Sequence, residues 1–142
     1  MNIKEVSIFV EHVPGKFLEV VKTLTENNIH VRSFCAAELG GIVVLRLIVD
    51  NVLWTASILK TMGYPATFTE VIAVSLPNSP ESFCRVLEVI KGAGINIEYA
   101  YPFPMRDYSA GIVFEVDDTA RAAEVLTNAG IRVITQDELP VL

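Results

Sequence analysis

The sequence is poor in most of the residues that usually carry chemistry. Of its 142 residues only two are cysteine, Cys35 and Cys84. Neither belongs to a C-x-x-C pair or a Cys/His cluster, so a structural zinc is excluded and no metal site or cofactor is expected. The two histidines, His12 and His30, stand alone. Lysine and arginine together number 11 and are scattered singly. A nucleic-acid binder needs a basic stripe to displace counterions, so nucleic acid is excluded as a partner. No apolar run approaches the roughly 20 residues that cross a bilayer, and Met1-Asn2-Ile3-Lys4-Glu5 lacks the form of a secretory signal. The expectation is a cytoplasmic protein with reduced thiols and no membrane partner. The net charge of −6 reads as solubility rather than as a site.

Apolar residues, in contrast, are plentiful, at 51% of the chain. That excludes a disordered chain. It also exceeds what a small lone domain can bury, so packing against a second chain, as a homodimer, is expected.

The chain repeats itself. With Pro14 set on Pro80, an offset of 66, Phe17 meets Phe83, Val20 meets Val86, Val21 meets Leu87, Leu24 meets Ile90 and Ile29 meets Ile95. The steps i, i+3, i+4, i+7 recur in both copies, which is one face of a helix in each. Upstream, Val6-Ser7-Ile8 meets Ile72-Ala73-Val74. Downstream the offset becomes 67, with Val49-Asp50 on Val116-Asp117 and Gly63 on Gly130. One residue has been added in the middle loop, where length is cheap.

Each copy therefore reads as strand, helix, strand, strand, helix, strand. In the first, Ile3 to Val10 is a strand, and Pro14 opens a helix to about Asn27. Ile29 to Ala37 and Ile42 to Val49 are strands joined by Gly40-Gly41. Asp50 or Asn51 caps a helix bearing Leu53, Ala56 and Leu59, which stops at Gly63. Ala66 to Leu76 holds the last strand of one copy and the first of the next. In the second copy Ser79 and Pro80 open a helix to Gly92–Gly94, and Ile95 to Tyr101 and Ala110 to Val116 are strands. Asp117-Asp118-Thr119 caps an alanine-rich helix to Gly130, and Ile131 to Thr135 closes the copy. The fold class is α+β: two tandem ferredoxin-like βαββαβ domains, 1–69 and 70–142. Each is an antiparallel sheet with two helices on one face. The other sheet face is left bare and partly apolar, and must meet something.

The turn Val13-Pro14-Gly15-Lys16-Phe17-Leu18 followed by Asn28-Ile29-His30-Val31 resembles the ACT family of amino-acid-sensing modules. Ser79-Pro80-Glu81-Ser82-Phe83 with Gly94-Ile95-Asn96-Ile97 repeats the pattern. The likeness spans nearly the whole chain, which looks like the small stand-alone tandem ACT proteins with no catalytic domain attached. It implies a free amino acid bound between the strand–helix loop of one unit and the second strand of its neighbour. By position it implicates Glu11, His12, Val13, Gly15, Lys16 and Phe17, with Val31 and Ser33 across the interface. In the second copy it implicates Asn78, Ser79, Ser82 and Phe83, with Ile97 and Tyr99. It further implies a regulated partner, such as a separate metabolic enzyme. The physics is compatible: a helix start offers unpaired N–H groups and a positive dipole end to a carboxylate.

Plainer readings stand beside these. Pro14-Gly15 is equally well a tight turn, Glu11, His12 and His30 ordinary surface polarity, and Cys35 and Cys84 small buried apolar residues. Glu81, aligned with Gly15, would repel a carboxylate, which favours the first copy as the competent one. Tyr99 to Met105 either lines a pocket for an apolar side chain or simply ends a strand at its prolines. A module that kept the fold and lost the ligand is the alternative function. An acyl-phosphate hydrolase would need a loop arginine beside an asparagine, and the first turn offers only Lys16.

Overall fold

The computed structural model describes residues 2–141. Residues 1 and 142, the outer limits of the two expected domains, lie outside the described residues. The chain forms two compact units, one of Lys4–Thr69, the other of Glu70 onward with the opening residues up to Ile3.

The first unit contains β1 (Ile3–Glu11), α1 (Lys16–Glu26), β2 (Val31–Leu39), β3 (Ile42–Val49), α2 (Val52–Thr61) and the opening of β4 (Thr67–Leu76). Its strands lie in the order β2-β3-β1-β4. The second contains the rest of β4, then α3 (Pro80–Gly92), β5 (Ile97–Pro104), β6 (Ala110–Val116), α4 (Thr119–Asn128), β7 (Arg132–Ile134) and a 3-10 turn, Gln136–Val141. Its order is β7-β4-β6-β5. Each is the ferredoxin-like βαββαβ arrangement.

Each unit has its own core, made where the helix stripes meet one sheet face. Val20 and Leu24 of α1 pack with Val6, Ile8, Val10, Leu45, Leu47 and Val49. Val86 and Ile90 of α3 pack with Ile72, Val74, Phe114 and Val116. Burial of this apolar surface is the main term holding either unit together.

The helix ends repeat as faithfully as the cores. All four close with a pair of backbone hydrogen bonds around one left-handed residue: Asn28, Gly63, Gly94 and Gly130. The amide after it reaches back five residues, as in Ile29 to Leu24 at 3.0 Å and Ile95 to Ile90 at 3.2 Å. This satisfies orphan carbonyls and turns the chain back to the sheet. Between β2 and β3, Gly40 and Gly41 have φ of 63° and 88°, the mirror-image turn that matches strand twist.

Several boundaries differ from the sequence reading. Pro14 does not open α1; the helix starts at Lys16, and Gly15 is its N-cap at φ 90°. In α2 the expected face is rotated, because Thr55, Ile58 and Leu59 are buried and Leu53 is 80% exposed. Spacing alone could not place that stripe in a helix apolar nearly all round. Strand β5 runs through Pro102 to Pro104. It is the sheet edge, the one place where prolines need cost no ladder bond. The helix-free face of the second unit is expected to meet something, and its apolar residues are shielded from water. Tyr101, Phe103, Val113, Val71 and Ala73, all on that side by register, are at most 6% exposed. Their apolar character is what drives them from water.

Candidate functional site

The turn between β1 and α1 sits at the hairpin end of the first unit. β1 runs antiparallel to β3, and Glu11 pairs with Ile42. The end of β1 therefore lies beside the β2–β3 turn. A depression of about 390 Å³ opens there, lined by Glu11, His12, Val13, Gly15 and Phe17 from the turn, facing Ala36, Ala37 and Glu38 of β2. Gly15 is needed for its backbone angle rather than for room, since an added Cβ would meet nothing within 4 Å. Gly15 takes this left-handed angle as the N-cap of α1, which has no side-chain cap bond.

Glu11 and Lys16 are tied into a small network. Tyr64, which follows α2, donates its hydroxyl to Glu11 Oε2 at 3.1 Å. Lys16 Nζ lies 3.6 Å from Glu19. The backbone amide and then the Tyr64 hydroxyl hold the Glu11 carboxyl below its usual range. Glu19, then Tyr64 and Glu11, raise Lys16. Burial, then Glu11, raises Tyr64. A lowered carboxyl stabilises the fold above its ordinary pKa and loses that contribution as pH falls through the lowered one. Tyr64→Phe is therefore expected to move the Glu11 titration upward in a ¹³C NMR titration. An unmoved midpoint would show that the hydroxyl does not hold this carboxylate.

The expected partner residues on the second strands separate. Val31 pairs with Val49, but Ser33 pairs with Ile48, because a bulge falls between them. Val31 thus lies on the helix side, in an apolar groove of about 480 Å³ with Phe17, Val21 and Phe34. Ser33 lies on the opposite face, 5% exposed. The same bulge recurs in β5: Ile97 pairs with Val116 and Tyr99 with Glu115. Ile97 is left on the helix side and Tyr99 on the other, stacked on Tyr101 with ring centroids 6.3 Å apart. One inserted residue cancels the two-residue period on which a shared face depends.

In the second unit Pro80 is already helical, so Glu81 falls in the first turn of α3, where its charge suits the dipole. Ser79 holds the N-cap position without capping the backbone; its hydroxyl meets that of Ser82 at 2.8 Å. Asn78 is exposed and Phe83 is 43% exposed. Sequence reasoning missed Tyr64 and the Ala36–Glu38 stretch. The second was available from strand order, which puts the β2–β3 turn beside the end of β1. The first was not, since nothing local joins Tyr64 to Glu11.

Among the described residues no three or more His, Cys, Asp or Glu stand together to hold a metal ion. No helix among them is long and apolar enough to cross a membrane.

This is the architecture of a pair of ACT-type domains. The chain belongs to the ACT domain pair family, whose model matches residues 1–142. It is similar to protein BT0572 from Bacteroides thetaiotaomicron at 30% identity and TM-score 0.92, over 100% of this chain and 98% of that one. The ligand-free regulatory subunit of aspartate kinase from Thermus thermophilus shares the fold, with TM-score 0.68 at 15% identity, over 91% of this chain and 93% of that one. The regulatory subunit of aspartate kinase from Thermus flavus does too, with TM-score 0.62 at 16% identity, over 91% and 90%. No curated protein matches the chain.

Proposed function

We propose that this protein is a non-catalytic regulatory module, with domains 1–69 and 70–142, that senses a free amino acid in the cytoplasm. The reading places the ligand at ACT–ACT interfaces of a homodimer. The β1–α1 turn of one unit and the second strand of its neighbour would hold it, and the signal would pass to a separate metabolic enzyme. The observation that carries this is the depression at the first turn. It joins a helix start, suited to a carboxylate, to an ionised Glu11, suited to an ammonium group. Beside it, Phe17 and Phe34 meet edge-on at 5.5 Å, an apolar surface for a side chain. The relatives named as regulatory subunits are consistent with the role. Coupling between occupancy and assembly would make the ligand a signal.

The interaction-module alternative draws on one feature, Glu81. It occupies the helix start of the second unit with a resident carboxylate, which favours a structural role for that copy.

A thermal-shift screen against the twenty free amino acids at millimolar concentration tests the proposal. One or a few are expected to raise the midpoint, by about 2.7 kcal/mol of stabilisation at a hundredfold excess over Kd. Glu11→Gln should reduce the shift. If no amino acid moves the midpoint of folded protein, the sensor reading fails and the interaction module takes its place.

A further inference from the structure

The two repeats treat one corner of their fold in opposite ways. The corner lies between the first-strand–helix turn and the segment that follows the second helix. In the first unit it is closed by residues satisfying one another: Tyr64 on Glu11, and Lys16 beside Glu19. In the second unit the same corner is a cavity of about 290 Å³, lined by Ser75, Ser82, Arg85, Gly130, Ile131 and Arg132 among others.

The sequence offsets show what changed. Arg85 stands 66 residues after Glu19, Ser82 stands 66 after Lys16, and Ile131 stands 67 after Tyr64. An acid has become an arginine, and the tyrosine that closes the first corner has become an isoleucine with no hydroxyl. Arg132, at the start of β7, adds a second guanidinium. The corner has changed from one closed around Glu11, Lys16 and Glu19 to an open one lined by two arginines.

Neither arginine has all of its donors taken by the fold, although Arg132 also lies within Coulombic reach of Asp107, whose carboxyl is held below its usual range by Ser109 and, to a lesser degree, by Arg132. Each guanidinium carries five N–H donors in a planar fork. Arg85 gives one of them to the carbonyl of Ala129, the C-cap of α4. Arg132 lies 3.8 Å from Glu138, and its side chain remains 49% exposed. An ion pair that long and that exposed is weak. Glu138 approaches Arg132 from the 3-10 turn, outside the cavity lining, and its other oxygen accepts from the Thr135 amide at 3.1 Å. Ser82, in the first turn of α3, adds a hydroxyl where the helix dipole favours negative charge.

We propose that the corner bounded by Ser82, Arg85 and Arg132 is an oxyanion-binding site for a small carboxylate or phosphate. It is distinct from the depression at the first turn; Ser82 is the one residue it shares with the amino-acid site expected in the second copy, while Arg85 and Arg132 belong to it alone. Two guanidinium groups and a hydroxyl lining one cavity are a donor set that planar or tetrahedral oxyanions take.

The test is an NMR titration of the ¹⁵N-labelled full chain with inorganic phosphate and, separately, with succinate, at ionic strength fixed with chloride. Saturating shifts are expected at the amides of Ser82, Gly130 and Arg132. Arg132→Gln should weaken the apparent affinity at least tenfold. Arg85→Lys keeps a cation and a donor to Ala129, and should weaken it severalfold without unfolding α4. The preferred titrant identifies the anion as phosphate or carboxylate. Shifts that scatter over the surface, fail to saturate, or persist unchanged in Arg132→Gln overturn the proposal, as does silence from both titrants.

Discussion

Replacing Gly111 by alanine is expected to destabilise the protein by about 3 kcal/mol or more, the range of mutations that force a backbone apart. Gly111 sits in β6 opposite Phe103 of β5 and Ser75 of β4. A Cβ built there would lie 2.1 Å from the Phe103 carbonyl oxygen and 3.1 Å from Met105 Cγ. The methionine could swing aside, but the carbonyl belongs to a strand. Relief therefore requires β5 to leave β6, which breaks the ladder and uncovers Phe103, 1% exposed. Urea unfolding would show a large drop in midpoint. A loss under about 1 kcal/mol would mean that β5 is far more yielding than its ladder implies.

The second large effect uses the repeat as its own control. Leu24 and Ile90 occupy the same position, 66 residues apart, at 0% and 2% exposure. Each is the residue on α1 or α3 whose carbonyl also receives the helix-closing hydrogen bond. Leu24→Ala and Ile90→Ala are each expected to cost about 2–5 kcal/mol, the transfer term plus the cavity left behind. If the copies are equivalent in packing as well as in sequence, the two losses should agree within about 1 kcal/mol. A large loss at one and almost none at the other would show that one core collapses around the gap. Chemical denaturation followed by circular dichroism separates these outcomes.

The repeat explains what could be read without coordinates. The stripes of α1 and α3 announce their cores, because a period of 3.6 against a strand run leaves one burial solution. The sequence narrows the caps to Asp50 or Asn51 and to Asp117-Asp118-Thr119, and the structure selects Asn51 and Asp118, whose side chains accept from the Trp54 and Arg121 amides. Gly40-Gly41 is legible as a hairpin because only glycine adopts two successive left-handed angles cheaply. Other features depend on contacts distant in sequence. The bulges after Val31 and Ile97 are set by where β2 meets β3 and β5 meets β6, not by the residues beside them. Tyr64 reaches Glu11 across 53 positions. In the candidate site, then, the turn was readable, the facing Ala36–Glu38 stretch followed from strand order, and Tyr64 was not readable. The charge reversal from Glu19 to Arg85 was in plain view, but it acquires meaning only when both are placed in the same corner.

The prolines of β5 have a consequence in the language of polymer chemistry. An uncovered sheet edge is a reactive end, since its outward amides and carbonyls can add another strand. β2 is such an edge, with nine residues, none of them proline or lysine. Had β5 matched it, each molecule would have carried a second open edge of the same kind. Joining β2 of one to β5 of the next would then grow an open chain without limit. Pro102 and Pro104 remove two donors from that second end. A duplicated domain doubles its edges as surely as its cores, and capping one end with proline is a chain terminator written into the sequence.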